Sequence, residues 1–213
     1  MAEAEVRRTR LCLVTPRDVD PDLLAPRVDD ALAGGDVASL IIDGEGESLQ
    51  RLAAALVARS QARGVAVIVR NDTRIAGRTH ADGVHIDTGI ADIAAIGAQR
   101  RKLIVGAGNL RSRHEAMAAG EAEPDYVFFG RLDGDNGDDI FPKALELASW
   151  WSALFVIPAI VMGGRSLASV ESAAAEGVEF VALCRAVFDD PRGPGIAVDE
   201  ANRRLSGLAE AVA

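Results

Sequence analysis

Short apolar runs alternate with amphipathic stretches along the whole chain, and this alternation constrains the fold more than any other feature of the sequence. The runs are four to six residues long and lie at residues 11–15, 37–42, 65–69, 83–86, 103–106, 126–130, 157–162 and 180–183. Because their apolar residues do not alternate with polar ones, the runs are typical of parallel strands that are buried on both faces. The sequence therefore predicts eight strands of one parallel sheet.

The stretches between the runs carry the signals of helix ends. Asp20 is a good N-cap and Pro21 suits the first helical position, while Gly34 stops the apolar stripe of the same segment. Ser48 and Ser166 stand in the same way before two later segments. Each predicted strand is thus followed by a predicted helix.

Strand–helix units repeated eight times leave two architectures, a closed barrel and a large open doubly wound sheet. Eight units within 213 residues favour the barrel. No linker-like or low-complexity stretch divides the chain. We therefore predict an α/β protein in which residues 1–213 form a single (β/α)8 TIM barrel domain.

The composition narrows the partners that such a barrel can have. A formal net charge of −9 argues against nucleic acid and anionic membranes, which require clustered Lys and Arg. No apolar run approaches the roughly 20 residues that a membrane span needs. A phosphorylated small molecule stays compatible with the acidic chain, because a few backbone N–H groups are enough to hold a phosphate.

Two further features predict a cytoplasmic protein. The charged first ten residues have no apolar run of roughly 7–15 residues behind them, so we expect no secretory signal. The two cysteines, Cys12 and Cys184, lie in apolar strand-like segments. A disulfide framework is therefore not expected, and a reducing compartment is the default.

Active sites of such barrels lie at the carboxyl ends of the strands, where the turns after the last two runs form the strongest local signal. Gly163 and Gly164 follow the seventh run, and Cys184 and Arg185 follow the eighth. Glycines there let the backbone approach a phosphate closely, and the N–H groups of a short following helix point at it. The alternative is that Gly163 and Gly164 only form a tight strand-to-helix turn.

Two polar positions in the middle of the chain are also candidates. Asn71 and Asp72 follow the third run and suit a substrate hydrogen bond or a hard cation such as Mg²⁺, although Asp72 also suits an N-cap before Thr73. His85 lies within the fourth run and is expected to face the barrel interior, in a structural or a catalytic role.

The acidic stretch 133–139 resembles a metal-binding loop only superficially. Gly137 occupies the third ligand position of an EF-hand and no Glu stands at the twelfth, so we predict a solvated acidic loop with Arg131 as its neighbouring cation. Trp150 and Trp151 are expected to pack a helix end, with a subunit contact as the alternative. A homo-oligomer is compatible with the sequence.

With these residues located, the chain resembles the thiamine phosphate synthase and thiazole tautomerase superfamily. The most specific segment is Asn71-Asp72 followed by residues 81–86, with the sequence ADGVHI. Further matching segments are residues 11–15, 31–35, 125–130, 159–164 and 177–182. The resemblance therefore runs over nearly the whole length.

The resemblance implies a reaction and the residues that serve it. Thiamine phosphate synthases join hydroxymethylpyrimidine pyrophosphate to thiazole phosphate, with Mg²⁺ helping the pyrophosphate to leave. It implies a thiazole phosphate at the last two strands, at Gly163-Gly164 and Cys184-Arg185. We take Asn71, His85 and Arg131 as candidate substrate-binding residues and Asp72 as the candidate Mg²⁺ ligand.

The chain departs from the family pattern mainly on the pyrophosphate side. The Gln-x-Arg-x-Lys pattern after the second strand is replaced by Ile41, Asp43 and Glu45, so two cations have become two anions. Ile90 stands where the family has its second metal-binding aspartate, and Gly108 stands where the family has a serine. A Thr-x-x-Lys-containing loop after the sixth strand has given way to the acidic loop. These departures predict a poor or inactive synthase.

Two alternatives to the synthase interpretation therefore remain open. One is a divergent barrel that binds a phosphorylated ligand for regulation or for another reaction. The other is a thiazole tautomerase-like isomerase, although Leu110 stands where that branch has its catalytic histidine. A basic side chain that reaches the barrel mouth from elsewhere, such as Arg70, Arg74 or Arg111, would favour the synthase.

Overall fold

The computed structural model describes residues 8–99 and 103–212, and within them eight parallel strands close into a barrel in sequential order. The strands are β1 (Arg10–Val14), β2 (Ser39–Ile42), β3 (Ala66–Arg70), β4 (Gly83–Ile86), β5 (Ile104–Leu110), β6 (Tyr126–Phe129), β7 (Ala159–Met162) and β8 (Phe180–Leu183). Leu11 pairs with Val181, which joins β1 to β8 and completes the ring. The predicted fold class is confirmed, with each strand at its predicted run.

Helices follow every strand and cover the outside of the barrel. They are α1 (Pro21–Ala33), α2 (Gly46–Gln61), α3 (Thr73–Thr79), α4 (Ile90–Gln99), α5 (Arg113–Gly120), α6 (Pro142–Leu154), α7 (Ser169–Ala175), α8 (Arg185–Phe188) and α9 (Pro194–Val212). Asp20 caps α1 as predicted, its side chain accepting the N–H of Asp22. The other two predicted N-caps were wrong. The N-cap of α2 is Glu45, three residues before Ser48, and the N-cap of α7 is Ala168, two residues after Ser166.

The core is one continuous apolar cluster of strand and helix side chains. Leu11, Leu13, Leu40 and Val67 are each 0% exposed on consecutive strands. Burial on both faces explains why the strand sequences are apolar without alternation.

The pairing of β5 with β6 contains the one register shift among the described strand pairs, between Ala107 and Leu110. Within it, Asn109 adopts a left-handed backbone conformation with φ of 59°. Such an irregularity re-aims side chains at the end of a strand. Asn109 consequently lines the cavity at the carboxyl end of the barrel.

The tryptophan pair packs as predicted, at the end of α6. Trp151 is 1% exposed and its indole N–H donates to the carbonyl of Ile157 at 2.7 Å. Trp150 is partly covered by the Arg113 guanidinium, which lies 5.0 Å from the ring centre.

Two expectations from the sequence concern the membrane and secretion. Among the described residues, no helix combines the length and the apolar character that crossing a bilayer requires. The expectation of no secretory signal falls mostly on residues 1–7, which lie outside the described part of the chain.

Candidate active site at the barrel mouth

Four arginines converge on a cavity of about 220 Å³ at the carboxyl ends of the strands. Arg17 follows β1, Arg70 is the last residue of β3, Arg111 follows β5 and Arg131 follows β6. They come from four strand ends that the barrel brings together, so their separation along the chain does not prevent them from sharing one cavity.

The two carboxylates that follow β2 are paired with these arginines. Asp43 is 2% exposed, and its two oxygens accept the Arg17 Nε at 2.5 Å and the Arg70 Nη1 at 3.2 Å. Arg70 also lies 3.5 Å from Glu45, through the same nitrogen. The negative charge of Asp43 is therefore paired with two guanidinium groups inside the site.

The remaining arginines of the mouth differ in their availability. Arg131 makes a two-pronged pair with Asp133, with distances of 2.8 and 2.9 Å. The Arg111 guanidinium bonds through Nε to the Asn109 amide oxygen at 3.0 Å and forms no ion pair with a carboxylate in the described part of the chain, although the Arg111 backbone N–H donates to the Glu115 carboxylate at 2.6 Å. Arg70 and Arg111 thus reach the mouth, whereas Arg74 is exposed in the first turn of α3 and does not line the cavity.

Asn71 and Asp87 form a reciprocal pair beside Arg70. Asn71 has a left-handed φ of 53° and its amide donates to the Asp87 carboxylate at 2.6 Å, while the Asp87 N–H donates to the Asn71 amide oxygen at 3.0 Å. Burial acts to raise the pKa of Asp87, but the hydrogen bonds from Asn71 and Arg70 hold it below its ordinary value. Asp87 is therefore anionic at neutral pH.

Asp72 caps α3, because its Oδ1 accepts the N–H groups of Arg74 and Ile75 at 2.9 and 2.8 Å. This is the N-cap alternative given for it from the sequence, and it uses only Oδ1 of the carboxylate. The described residues contain no group of three or more His, Cys, Asp or Glu side chains suited to a metal. Mg²⁺ usually takes one or two carboxylates and completes its shell with water and substrate phosphates, so Asp72 fits only a ligand-assisted site.

His85 faces the barrel interior, as expected, and is 1% exposed. Its Nδ1 lies 3.0 Å from the hydroxyl of Tyr126, and its ring meets Phe128 edge-on. Burial lowers the pKa of His85 to about 4. The charge of Asp87 acts to raise this pKa, and the charge of Arg70 acts to lower it further. The neutral imidazole lines the floor of the mouth cavity.

The turns after β7 and β8, where the sequence predicts a phosphate, have several of their backbone N–H donors engaged within the chain. The N–H of Gly163 donates to Ala182 at 2.8 Å and that of Gly164 to the Ser169 hydroxyl at 3.0 Å. The N–H of Arg185 donates to the Asp135 carboxylate at 2.7 Å. Phosphate binding at these turns stays a prediction, and a phosphate there has to compete with Asp135.

The acidic loop is not uniformly solvated, and the prediction is wrong for Asp135, which is 1% exposed. The carbonyls of Gly137 and Asp138 accept the N–H groups of Arg165 and Ser166 at 2.8 and 3.0 Å. These contacts lie between segments that are far apart in sequence, so the composition of the loop alone could not reveal them. Asp138 and Asp139 are exposed, as predicted.

Cys184 is buried beside Asp135 at the start of α8. Burial raises the pKa of its thiol well above the ordinary value, and the neighbouring carboxylates act in the same direction. A protonated thiol is a poor nucleophile. Cys184 accordingly serves as a packing residue.

Two residues of the site were missed by sequence reasoning. Arg17 was available to the strand-end argument, since it follows β1 by three residues, but an isolated arginine carries no motif. Asp135 had no usable signal, because its partner Arg185 lies 50 residues away.

A second and larger cavity, of about 580 Å³, lies beside the mouth, between the acidic loop and the start of α6. Its apolar wall includes Leu110, Ile140 and Leu147, and Lys143 stands among its polar residues. It shares Asn109, Gly130 and the two arginines that follow β5 and β6 with the mouth cavity.

Together these features define a (β/α)8 barrel with a polar, arginine-rich site at the carboxyl ends of its strands. Residues 11–187 match the thiamine monophosphate synthase family, and the chain belongs to that family.

Individual relatives agree with this assignment. The chain is 35% identical to a thiamine-phosphate synthase of Rhodospirillum centenum, over 93% of this chain and 98% of the relative. It is 31% identical to that of Hyphomonas neptunium, over 95% and 96% of the two chains. Among solved structures, the thiamine phosphate pyrophosphorylase from Pyrococcus furiosus has the same fold, with a TM-score of 0.77, 21% identity and coverage of 95% of this chain and 98% of that one.

Proposed function

We propose that this chain is a cytoplasmic transferase of thiamine biosynthesis that couples hydroxymethylpyrimidine pyrophosphate to a thiazole acceptor. The observation that carries the proposal is the convergence of four guanidinium groups on one cavity at the strand ends. Membership of the thiamine monophosphate synthase family supplies the reaction class. The departing pyrophosphate gains negative charge, and preorganised cations stabilise that charge as it develops.

The arginines divide this task in a way that follows from their pairing. The Arg111 guanidinium forms no ion pair with a carboxylate of the described residues, so it is the cation most available to a pyrophosphate. Arg70 is 15% exposed and fixed by Asp43 and Asp87, which preorganises its guanidinium. Asn71 and neutral His85 orient the ligand by hydrogen bonds rather than by charge.

Mg²⁺ is part of the proposal, with Asp72 as its protein ligand. Asp72 offers one carboxylate oxygen beyond the helix cap, and the remaining ligands would be water and the oxygens of the pyrophosphate. The cation would neutralise charge on the leaving group.

Turnover is expected to be slow for a member of the family. Asp43 and Glu45 replace two cations, and each such loss typically reduces the rate by roughly 10²–10³. The mouth arginines replace the missing charge in part, since Arg17 and Arg70 are already paired with Asp43. We expect measurable coupling at a rate more than tenfold below that of an unsubstituted family member.

The experiment combines the two thiamine precursors with Mg²⁺ and quantifies the coupled product by chromatography. Arg111→Ala should lower kcat/KM by about 10². Arg74→Ala is the matched control, because Arg74 is exposed and does not line the cavity. Absence of product from the wild-type protein would reject the transferase.

A second candidate is a barrel that binds a phosphorylated ligand without coupling it. It is favoured by the near balance of charge at the mouth, where four arginines face four carboxylates, namely Asp43, Glu45, Asp87 and Asp133. Tight pyrophosphate binding measured by calorimetry in the absence of any product would identify this candidate.

A further inference from the structure

The end of the barrel formed by β7 and β8 contains a carboxylate of the chain itself. Asp135 is 1% exposed, and its Oδ2 accepts the N–H of Arg185 at 2.7 Å. Its other oxygen lies 3.8 Å from the Arg185 Nε. A backbone N–H at a helix start and a guanidinium are the donors that would otherwise attract a phosphate.

The segment that carries Asp135 is attached to both turns. The N–H groups of Arg165 and Ser166 donate to the carbonyls of Gly137 and Asp138 at 2.8 and 3.0 Å. A Cβ on Gly164 would collide with the backbone of Asp138. The close approach that this glycine permits is therefore made by the chain's own loop.

We propose that Asp135 is a specificity-determining residue that takes the place of a phosphate group at the β7–β8 end, so that the acceptor is an unphosphorylated thiazole alcohol. This inference rests on the proposed transfer reaction and names its second substrate. A fixed carboxylate beside the turn repels a phosphate, and in the partly desolvated site two like charges about 4 Å apart lower affinity by at least tenfold.

The transfer itself does not need the acceptor's phosphate. The acceptor's ring nitrogen forms a C–N bond to the pyrimidine methylene carbon while the C–O bond to pyrophosphate breaks, and the electron pair leaves with the pyrophosphate. The phosphate of a thiazole phosphate is only a binding group. Replacing it by a side-chain carboxylate leaves every bond that forms or breaks unchanged.

Room for such an acceptor exists beside the loop. The cavity of about 580 Å³ has a largely apolar wall, which suits an uncharged ring, and its volume lies within the range of small-molecule sites. Lys143 and two mouth arginines also border this cavity, so a phosphorylated acceptor bound there is the competing arrangement that the experiment has to distinguish.

The experiment compares thiazole alcohol with thiazole phosphate, by kcat/KM in the coupling assay and by isothermal titration without the other substrate. The wild-type protein should prefer the alcohol by at least tenfold. Asp135→Asn should shift the ratio at least tenfold toward the phosphate form. Asp138→Asn is the matched control, because it removes the same charge from an exposed position of the loop and should leave the ratio unchanged.

Three results would overturn the inference. The first is a preference of the wild-type protein for thiazole phosphate. This result needs no variant, so the inference can be tested even if Asp135→Asn does not fold. Equal shifts by the two variants would show a general charge effect. Phosphate-form binding that Lys143→Ala abolishes would place the acceptor's phosphate in the side cavity. If neither acceptor is coupled, the transferase proposal fails, and the titrations alone decide the preference.

Discussion

Acidification should destabilise this protein through His85. The pKa of His85 is lowered by burial from 6.5 to about 4. The unfolded chain therefore takes up a proton first, so the contribution of the neutral imidazole to stability is complete above about pH 6.5 and is lost as the pH falls toward 4. Integration over that interval lowers the free energy of unfolding by about 2–3 kcal/mol between about pH 7.5 and about pH 4.5.

Urea denaturation followed by circular dichroism across this pH range measures the loss directly. His85→Asn is the informative variant, because it keeps a polar atom near the Tyr126 hydroxyl and removes the titrating group. Its stability should be lower at neutral pH and nearly constant down to about pH 4.5. His80 and His114 are exposed and are present in both proteins, so their contributions cancel in the difference. A parallel pH dependence of the wild type and the variant would refute the argument.

Three further predictions concern the barrel mouth and its loop. Arg70→Ala should weaken the binding of inorganic pyrophosphate about 10–100-fold in calorimetry, because it removes a charge-assisted contact. Arg74→Ala should have no effect. A larger loss of affinity in Arg74→Ala than in Arg70→Ala would place the anion elsewhere. Gly164→Ala should release the loop from the β7–β8 end, seen as faster hydrogen exchange of the Arg165 amide. Unchanged protection would contradict this contact. Cys184 should resist alkylation by iodoacetamide at neutral pH until the chain is unfolded, and rapid native-state labelling would show a reactive thiolate.

The barrel was predictable because each strand carries its own signal. A strand that is buried on both faces must be apolar throughout, so runs such as residues 126–130 mark strands without knowledge of their partners. Helix N-termini were less predictable. Asp20 caps α1 with its side chain. The N-cap residues of α2 and α7, Glu45 and Ala168, make no side-chain cap bond and so leave no signal.

The site was predictable where it depends on position after a strand. Asn71, His85 and Arg131 all line or border the mouth, in agreement with the rule that residues at strand ends meet. The conformation of the acidic loop was not predictable, since it depends on contacts between segments about as far apart as Asp135 and Arg185. Gly164 did indicate a close approach, but no local property of a glycine tells whether a ligand or a distant loop makes that approach.

The shared wall between the two cavities has a consequence for the order in which substrates bind. Asn109, turned toward the mouth by its left-handed conformation, borders both spaces together with Gly130. A donor in the smaller space and an acceptor in the larger one would each leave the other's route to solvent open. Steady-state kinetics of such a barrel should therefore follow random-order addition, because each substrate would enter its own cavity independently of the other.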